Sequence, residues 1–283
     1  MNKAIYIGEL TLNVNLSSDG RATTSVGDRA VTAAMLDAAM GVETLFIGEA
    51  AADTVGDHIV GTLQRANVDT TSVDRFTEGA GAVRIASGNT PDSDSKAVLH
   101  ASYPAEAVNP IWPRINEGDV FVYGSFMALD KRNHKSVLDL LSYAAARKAE
   151  TVYLPYFDSR HVARTTRIMP EVWECLEAAS LVIATVSDLA TLFPGEDPAR
   201  SYRDHILFYC PRCLVTDYDN LRMHFFDRDA SWTLDCHPTV HDYNHWTSAA
   251  LAGALRAIAE GTSDPDDIMA KANETAHSNL ASI

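Results

Sequence analysis

Three histidines recur at intervals of four residues towards the carboxyl end of the chain, at His237, His241 and His245. Imidazole nitrogens bind zinc or nickel, and on a continuous helix this spacing would place all three on one face. Pro238 interrupts any such helix, and a loop is expected before the next one. A metal site is therefore an alternative hypothesis, and the main interpretation is a polar loop without bound metal.

A second potential metal or redox motif is the pair formed by Cys210 and Cys213, with Cys175 and Cys236 elsewhere in the chain. Structural zinc needs four ligands, and no second pair of this spacing accompanies the first. A redox pair typically opens a helix, whereas Cys213 leads into an apolar run. We expect reduced thiols with no metal or redox role.

Predicted strands and helices alternate along the chain. Strands are predicted at 3–8, 43–48, 119–123, 151–154, 181–184 and 214–216. Helices are predicted at 30–40, 54–66, 133–148, 170–178, 187–193, 247–260 and 264–276. This alternation is typical of a mostly parallel central sheet with helices on both faces. The sequence therefore predicts a single three-layer α/β domain over residues 1–283.

Two segments interrupt this alternation, at approximately 11–25 and 79–103. Each contains short β-type runs next to polar turns, which indicates hairpin-like insertions. We expect them to form a small β lid beside the central sheet. Because ligands of doubly wound proteins bind beyond the carboxyl ends of the strands, a lid there would cover the site and exclude water.

The charge of the chain limits its partners. Its 38 acidic and 23 basic residues give a formal net charge of −15. Such a surface repels phosphate backbones and anionic lipids, so neither nucleic acid nor a membrane is an expected partner. No apolar run approaches the roughly 20 residues that span a bilayer. The first residues lack a signal-peptide pattern, and a cytoplasmic protein is expected.

Three segments together resemble one family: residues 7–13, residues 27–56 and residues 242–253. Their order and spacing are similar to those of the ribokinase-like, or phosphofructokinase-B, carbohydrate kinases. The resemblance implies a ribokinase-like three-layer sandwich with a β lid. It also implies that ATP, with Mg²⁺, phosphorylates a hydroxymethyl group of a sugar or nucleoside.

The resemblance further implies a Gly-Ala-Gly-Asp segment at a helix start, where backbone N–H groups face the transferred phosphate. Its aspartate removes the proton of the sugar hydroxyl. This chain has His245, Trp246, Thr247 and Ser248 at these positions. A serine hydroxyl cannot act as the base unaided, and the loss of a general base costs about 10²–10⁴-fold in rate.

Other parts of the implied phosphate site also differ. Residues 154–158, Leu-Pro-Tyr-Phe-Asp, stand where the family has Asp-Pro-Asn-x-Arg. The acidic magnesium position falls on Ser187, with Asp188 adjacent as the alternative. The glycine-rich turn beside the nucleotide is replaced by a turn that contains Asp217 and Asp219. These two carboxylates would repel the phosphates of ATP.

The positions that the resemblance assigns to the sugar are Asn13, Gly27, Asp28 and Thr32. Asn13 stands at the family's substrate aspartate, and an amide still forms hydrogen bonds with hydroxyl groups. These residues therefore predict a polyol pocket. The alternative is that Asn13 and Thr32 satisfy local backbone groups.

We therefore expect a catalytically impaired relative of the carbohydrate kinases that binds a sugar-like molecule or a protein partner, such as a related kinase. The alternative is an active kinase in which Asp242, Asp217 or Asp219 serves as the base. ATP and Mg²⁺ would be cofactors only in that case. The resemblance also implies a homodimer, since the small side sheet of such folds often pairs between subunits through its edges.

Overall fold

The computed structural model describes residues 2–17, 19–87, 96–104, 109, 111–156, 165–237 and 242–278. The strands are β1 (Ala4–Ile7), β2 (Thr11–Leu16), β3 (Ala22–Val26), β4 (Thr44–Ala51), β5 (Val73–Phe76), β6 (Ala80–Ser87), β7 (Lys96–Ser102), β8 (Val120–Gly124), β9 (Glu150–Leu154), β10 (Leu181–Thr185), β11 (Arg212–Asp217), β12 (Arg222–Asp227) and β13 (Ala230–Asp235). The helices are α1 (Arg29–Ala39), α2 (Thr54–Arg65), α3 (His134–Ala145), α4 (Met169–Glu177), α5 (Val186–Leu192), α6 (Pro198–Ser201), α7 (Tyr243–Ala259) and α8 (Pro265–His277).

The central sheet has nine strands in the order β13-β12-β11-β10-β9-β8-β1-β4-β5. Neighbouring strands are parallel from β11 to β5, and β12 and β13 add an antiparallel edge. Strands β1, β8 and β10 are buried throughout, which explains why they are continuous apolar runs rather than alternating ones. The prediction of a mostly parallel α/β sheet is confirmed.

Helices cover both faces of this sheet and form two hydrophobic cores. Helices α1, α2, α7 and α8 share one core with Tyr6 and Phe46. Helices α3, α4 and α5 share the other with Ile5 and Ile7. Successive residues of β1 therefore serve opposite cores, as the alternation of side chains in a strand requires. Helix α7 is buried on most of its surface, since it lies between α1, α8 and the sheet.

A second sheet lies beside the first, with strand order β3-β2-β6-β7. Its strands come from the two segments that interrupt the strand–helix alternation. Asp53 ties this sheet to the central domain, since its carboxylate accepts the N–H of Gly56 at 2.8 Å and of Gly81 at 2.8 Å. Gly56 cannot be replaced easily, because an added Cβ would lie 1.9 Å from the carbonyl oxygen of Ala51.

Helix α7 begins at Tyr243, four residues before the start predicted from the sequence. The predicted start at residue 247 was wrong because a loop was expected up to that residue. Instead the side chain of Asp242 caps the helix, so residues 243–246 are already helical. This shift brings His245 and Trp246 into the first turn. In the described part of the chain, no helix is long and apolar enough to cross a membrane.

Candidate ligand-binding crevice

The order in which strands are added to the central sheet reverses beside β1. The chain passes from β1 to β4 and β5 on one side, and β8 and the later strands lie on the other side of β1. In doubly wound sheets a crevice opens at such a switch point, outside the carboxyl ends of the strands. By this rule the candidate crevice lies where the loops that follow β1, β8, β9, β10 and β11 meet the start of α1.

Arg29, the first residue of α1, lies in the crevice and pairs with Asp188 of α5. Its Nη1 donates to Asp188 Oδ2 at 2.6 Å, and its Nη2 donates to Oδ1 at 3.3 Å. The two side chains are only 10% and 7% exposed. The guanidinium also lies over the ring of Tyr156, 5.0 Å from its centroid. A buried cation of the protein itself therefore bridges α1 and α5.

Asp188 is held in place from its own side as well. The N–H of Thr185 donates to Asp188 Oδ2 at 2.8 Å, and the N–H of Asp188 donates to Thr185 Oγ1 at 3.0 Å. This reciprocal capping box opens α5. Tyr243 of α7 donates its hydroxyl to Thr185 Oγ1 at 3.1 Å. The carboxylate of Asp188 is thus shared between Arg29 and the turn that opens α5.

The first turn of α7 uses its own backbone donors. Asp242 Oδ1 accepts the N–H of His245 at 2.7 Å, and the carbonyl of Asp242 accepts the N–H of Trp246 at 2.9 Å. The hydroxyl of Thr247 donates to the carbonyl of Tyr243 at 2.8 Å. A helix start binds an anion through unbonded N–H groups. Two N–H groups of this turn already have partners within it.

Aromatic side chains fill the space beside this turn. Trp246 is completely buried, and its ring packs edge-on against Tyr218 with centroids 5.8 Å apart. Tyr218 also contacts Tyr243, at 5.4 Å. Ser248, one turn into the helix at the position of the implied catalytic base, is only 2% exposed. The position that the resemblance assigns to the catalytic base therefore holds a buried hydroxyl.

The two aspartates after β11 differ in their surroundings. Asp217 is 6% exposed and holds its own turn, accepting the backbone N–H of Asn220 at 3.0 Å and the side-chain amide of Asn220 at 2.8 Å. Asp219 lies exposed on the same turn. Among the described residues, no hydrogen bond joins either carboxylate to Ser248.

The predicted sugar-binding residues cluster at the start of α1. Asn13 Nδ2 donates to the carbonyl of Gly27 at 2.5 Å, and Gly27 has a φ of +71°. Asp28 caps α1 by accepting two backbone N–H groups of its first turn. Burial, with the charge of Glu9, raises the pKa of Asp28 to about 6. Thr32 lies one turn further along α1. Asn13 and Asp28 thus serve the local backbone, although Asn13 retains its carbonyl oxygen as an acceptor.

The structure describes only part of the predicted histidine and 154–158 segments. His237 and His245 are described, whereas His241, Phe157 and Asp158 lie outside the described residues. Within the described ranges, no group of three His, Cys, Asp or Glu side chains could hold a metal ion. The four cysteines are buried and form no disulfide.

Sequence reasoning missed Arg29, whose guanidinium pairs with Asp188 and lies over the ring of Tyr156. The available signal was its position directly after Gly27 and Asp28, at the start of a helix that faces the site. Its partner lies 159 residues away in sequence, so no local pattern could reveal the pair.

The described architecture is the ribokinase-like fold, which the chain shares with carbohydrate kinases of the PfkB type. A double-mutant fructokinase from Vibrio cholerae, solved with fructose, ADP and potassium, has a TM-score of 0.84 at 12% identity, with 97% of this chain and 90% of that chain covered. Aminoimidazole riboside kinase from Salmonella enterica has a TM-score of 0.78 at 15% identity, with 98% and 91% covered. Adenosine kinase from Sinorhizobium meliloti has a TM-score of 0.78 at 16% identity, with 97% and 92% covered.

At these identities the likeness establishes the fold and leaves the reaction open. No protein-family model matches the sequence, and no curated protein matches it either.

Proposed function

We propose that this protein binds a sugar-like small molecule in the crevice and does not transfer phosphate from ATP at a useful rate. The observation that carries the proposal is the first turn of α7. There the backbone donors of His245 and Trp246 are bonded to Asp242, and Ser248 is buried at the position of the implied base. Two backbone donors of this turn are therefore already engaged, and a serine stands at the position of the implied base.

The expected loss of rate is large. Removal of a positioned general base costs about 10²–10⁴-fold. Removal of one donor that stabilises developing negative charge costs about 10²–10³-fold more. Asp188 is the alternative acidic residue for the implied magnesium position, and the charge of its carboxylate is already neutralised by Arg29. A bound Mg²⁺ would have to displace a buried, bidentate ion pair before it could use this carboxylate.

One observation favours a second candidate, an active kinase with a relocated base. Asp242 is exposed at the start of α7, and its described hydrogen bond, from the N–H of His245, engages only Oδ1. If Asp242 were the base, Asp242→Asn would abolish activity, and Ser248→Ala would leave it nearly unchanged. Under the main proposal, neither variant has an activity to lose.

The proposal is tested with calorimetry and a coupled kinase assay. Mg·ATP is titrated into the protein, and ADP formation is then followed over a panel of sugars and nucleosides. We expect binding of a sugar-like compound without measurable turnover. Micromolar affinity for Mg·ATP together with clear turnover of any panel member would contradict the proposal.

A further inference from the structure

The loop that follows β8, residues 125–133, is one of the loops that meet at the candidate crevice, and it begins with a strained residue. Ser125 has a φ of +54° and a ψ of −174°, which a residue with a side chain rarely adopts. Such a conformation persists only where surrounding contacts hold it. The same loop lines a small cavity together with Glu9, Glu49 and Tyr103. The contacts that hold this loop therefore set the shape of the cavity.

His134, the first residue of α3, contacts both this loop and α4 through its two ring nitrogens. Its Nδ1 lies 2.7 Å from the carbonyl oxygen of Ala128, and its Nε2 lies 3.1 Å from Oε2 of Glu174. The imidazole is 13% exposed, whereas the Glu174 side chain is 55% exposed. One ring thus connects the loop after β8 to α4.

Both partners of this ring are acceptors. A carbonyl oxygen and an ionised carboxylate accept hydrogen bonds and donate none. A neutral imidazole has one N–H, so it donates to only one of these two oxygens, and its other nitrogen then presents a lone pair to an acceptor. The imidazolium has an N–H on each nitrogen and satisfies both. The geometry therefore fits the protonated ring, paired with Glu174.

The surroundings of the ring act on its charge in both directions. The start of a helix and partial burial disfavour a cation at His134, whereas a nearby carboxylate favours it. The titratable and charged groups on the loop, α3, α4, β8 and β9 around this ring are Asp130, Lys131, Arg132, Lys135, Glu171, Glu174, Cys175, Tyr123 and Tyr153.

Of these groups, the anions of α4 are left to balance the imidazolium. Burial raises the pKa values of Tyr123 and Tyr153, and burial followed by the charges of Glu174 and Glu171 raises the pKa of Cys175, so these three side chains are uncharged near neutral pH. Asp130 is paired with Arg132 at 2.9 Å, and Lys135 with the exposed Asp139 at 2.7 Å. Glu174 is thus the charged partner that the ring itself contacts.

We propose that His134 is a pH-sensitive latch, which fixes the loop after β8 to α4 while its ring is protonated and releases it when the ring loses a proton. The neutral ring keeps one of its two bonds, so the link between Ala128 and Glu174 is broken. The latch is closed at low pH and opens as the pH rises. This inference goes beyond the proposed function, because it needs no ligand in the crevice.

The effect should be local. Arg132 Nη2 donates to Glu49 Oε1 at 2.9 Å, which ties the same loop to β4 without involving His134. The loop therefore loses one of two attachments when the latch opens, and the rest of the fold stays in place.

Nitrogen-15 NMR of the full chain with labelled histidine reads the protonation state of the ring. The His134 signals are assigned by their absence in His134→Asn. We expect protons on both ring nitrogens at pH 5.5 and on one at pH 8.5. Glu174→Gln removes the anion and keeps the shape of the side chain, so the ratio of protonated to neutral ring should fall about 10-fold at each intermediate pH.

Amide hydrogen exchange of residues 125–133 tests the latch itself. After correction for the pH dependence of chemical exchange, the wild-type loop should be about 10-fold better protected at pH 5.5 than at pH 8.5, since a hydrogen bond to a charged group contributes about that factor. Glu174→Gln should lose most of this difference. His134→Asn, whose amide still donates to Ala128, should lose it as well.

Two further comparisons isolate the effect. Asp28 and Asp37, with pKa values of about 6 and about 8, also titrate in this range, but both variants retain them, so the difference between wild type and variant belongs to the latch. His205→Gln is the matched control, because His205 also pairs with a glutamate, Glu196 at 3.2 Å, and stacks on Phe193 after α5. This variant should keep the wild-type difference. Circular dichroism verifies that each variant is folded, and the half-exposed Glu174 makes Glu174→Gln the decisive one.

The inference predicts a loop that is protected in step with the protonation of His134. An unprotonated ring nitrogen of His134 at pH 5.5 would overturn it. Equal protection of the wild-type loop at the two pH values would overturn it too, as would a pH difference that persists in Glu174→Gln.

Discussion

The guanidinium of Arg29 and the carboxylate of Asp188 form a bidentate ion pair at 2.6 and 3.3 Å between the start of α1 and the start of α5. Both side chains are nearly excluded from solvent. A buried pair of this kind is costly to break from one side, because the remaining charge then has neither water nor a partner. The pair therefore links the start of α1 to the start of α5 more firmly than surface ion pairs would.

Replacement of Arg29 alone should destabilise the protein strongly. Arg29→Ala leaves the Asp188 carboxylate buried without its cation, and we expect the free energy of unfolding to fall by about 3–5 kcal/mol. Urea denaturation followed by circular dichroism measures this change. The control is the double variant Arg29→Met with Asp188→Asn, which removes both charges, retains an acceptor for the N–H of Thr185 and should be less destabilised than Arg29→Ala. A loss below about 1 kcal/mol in the single variant would indicate a solvated pair of surface strength.

Restoring an aspartate at position 248 should not create a kinase. Ser248 is 2% exposed, so Ser248→Asp introduces a buried carboxylate beside a helix turn in which Asp242 already accepts the N–H groups of His245 and Trp246. We expect lower stability and no ADP formation with Mg·ATP and any panel sugar. Ser248→Asn, of similar size without the charge, should be less destabilising. Turnover in Ser248→Asp would show that the phosphate site is otherwise intact.

Asp37 should make stability depend on pH. This residue of α1 is fully buried, and its carboxylate accepts the hydroxyl of Tyr6 at 2.5 Å. Burial raises the pKa of Asp37 to about 8, although the Tyr6 hydrogen bond and the charge of Arg256 oppose the rise. Between the ordinary pKa of aspartate near 4 and this value, the folded protein binds more protons than the unfolded chain, so stability falls as the pH rises.

The matched variant is Asp37→Asn, which retains an acceptor for Tyr6 and removes the titrating group. Its free energy of unfolding should exceed that of the wild type near pH 8 and should vary less with pH. Urea denaturation at several pH values provides the comparison. Parallel pH profiles for the two proteins would show that Asp37 titrates as an ordinary aspartate.

The second sheet should mediate a homodimer. It carries Leu16 of β2 and Val98 of β7, which are 40% and 51% exposed, and among the described residues no further strand pairs with its outer strands β3 and β7. Exposed apolar side chains on an open sheet favour pairing with a second copy. Gel filtration with light scattering should give a dimer for the wild type and a monomer for Val98→Asp. A monomeric wild type at micromolar concentration would refute the prediction.

The sequence was sufficient to predict the fold because its signals are local and repeated. Continuous apolar runs such as β8, with adjoining helical patterns, indicate a buried parallel sheet without knowledge of any contact. The antiparallel strands β12 and β13 were missed. Their burial is uneven along each strand, so they lack the continuous apolar pattern of the central strands.

The site was harder to predict because it depends on pairs distant in sequence. The replacement of an aspartate by Ser248 is visible in the sequence, whereas the engagement of Asp188 by Arg29 appears only when the sheet places α1 beside α5. The sequence predicted that α7 begins at residue 247, whereas it begins at Tyr243 after its cap Asp242. Similarly, the local hydrogen bonds of Asn13 could not be distinguished in advance from bonds to a ligand.

The most direct test of the central claim is a phosphorus NMR time course. The protein is incubated with ATP, Mg²⁺ and a saturating concentration of the sugar-like compound that calorimetry identifies as a ligand. We predict that the ATP resonances remain unchanged over many hours while the ligand stays bound. Growth of ADP and sugar phosphate resonances, lost in Asp242→Asn, would contradict the account and establish an active kinase with a relocated base.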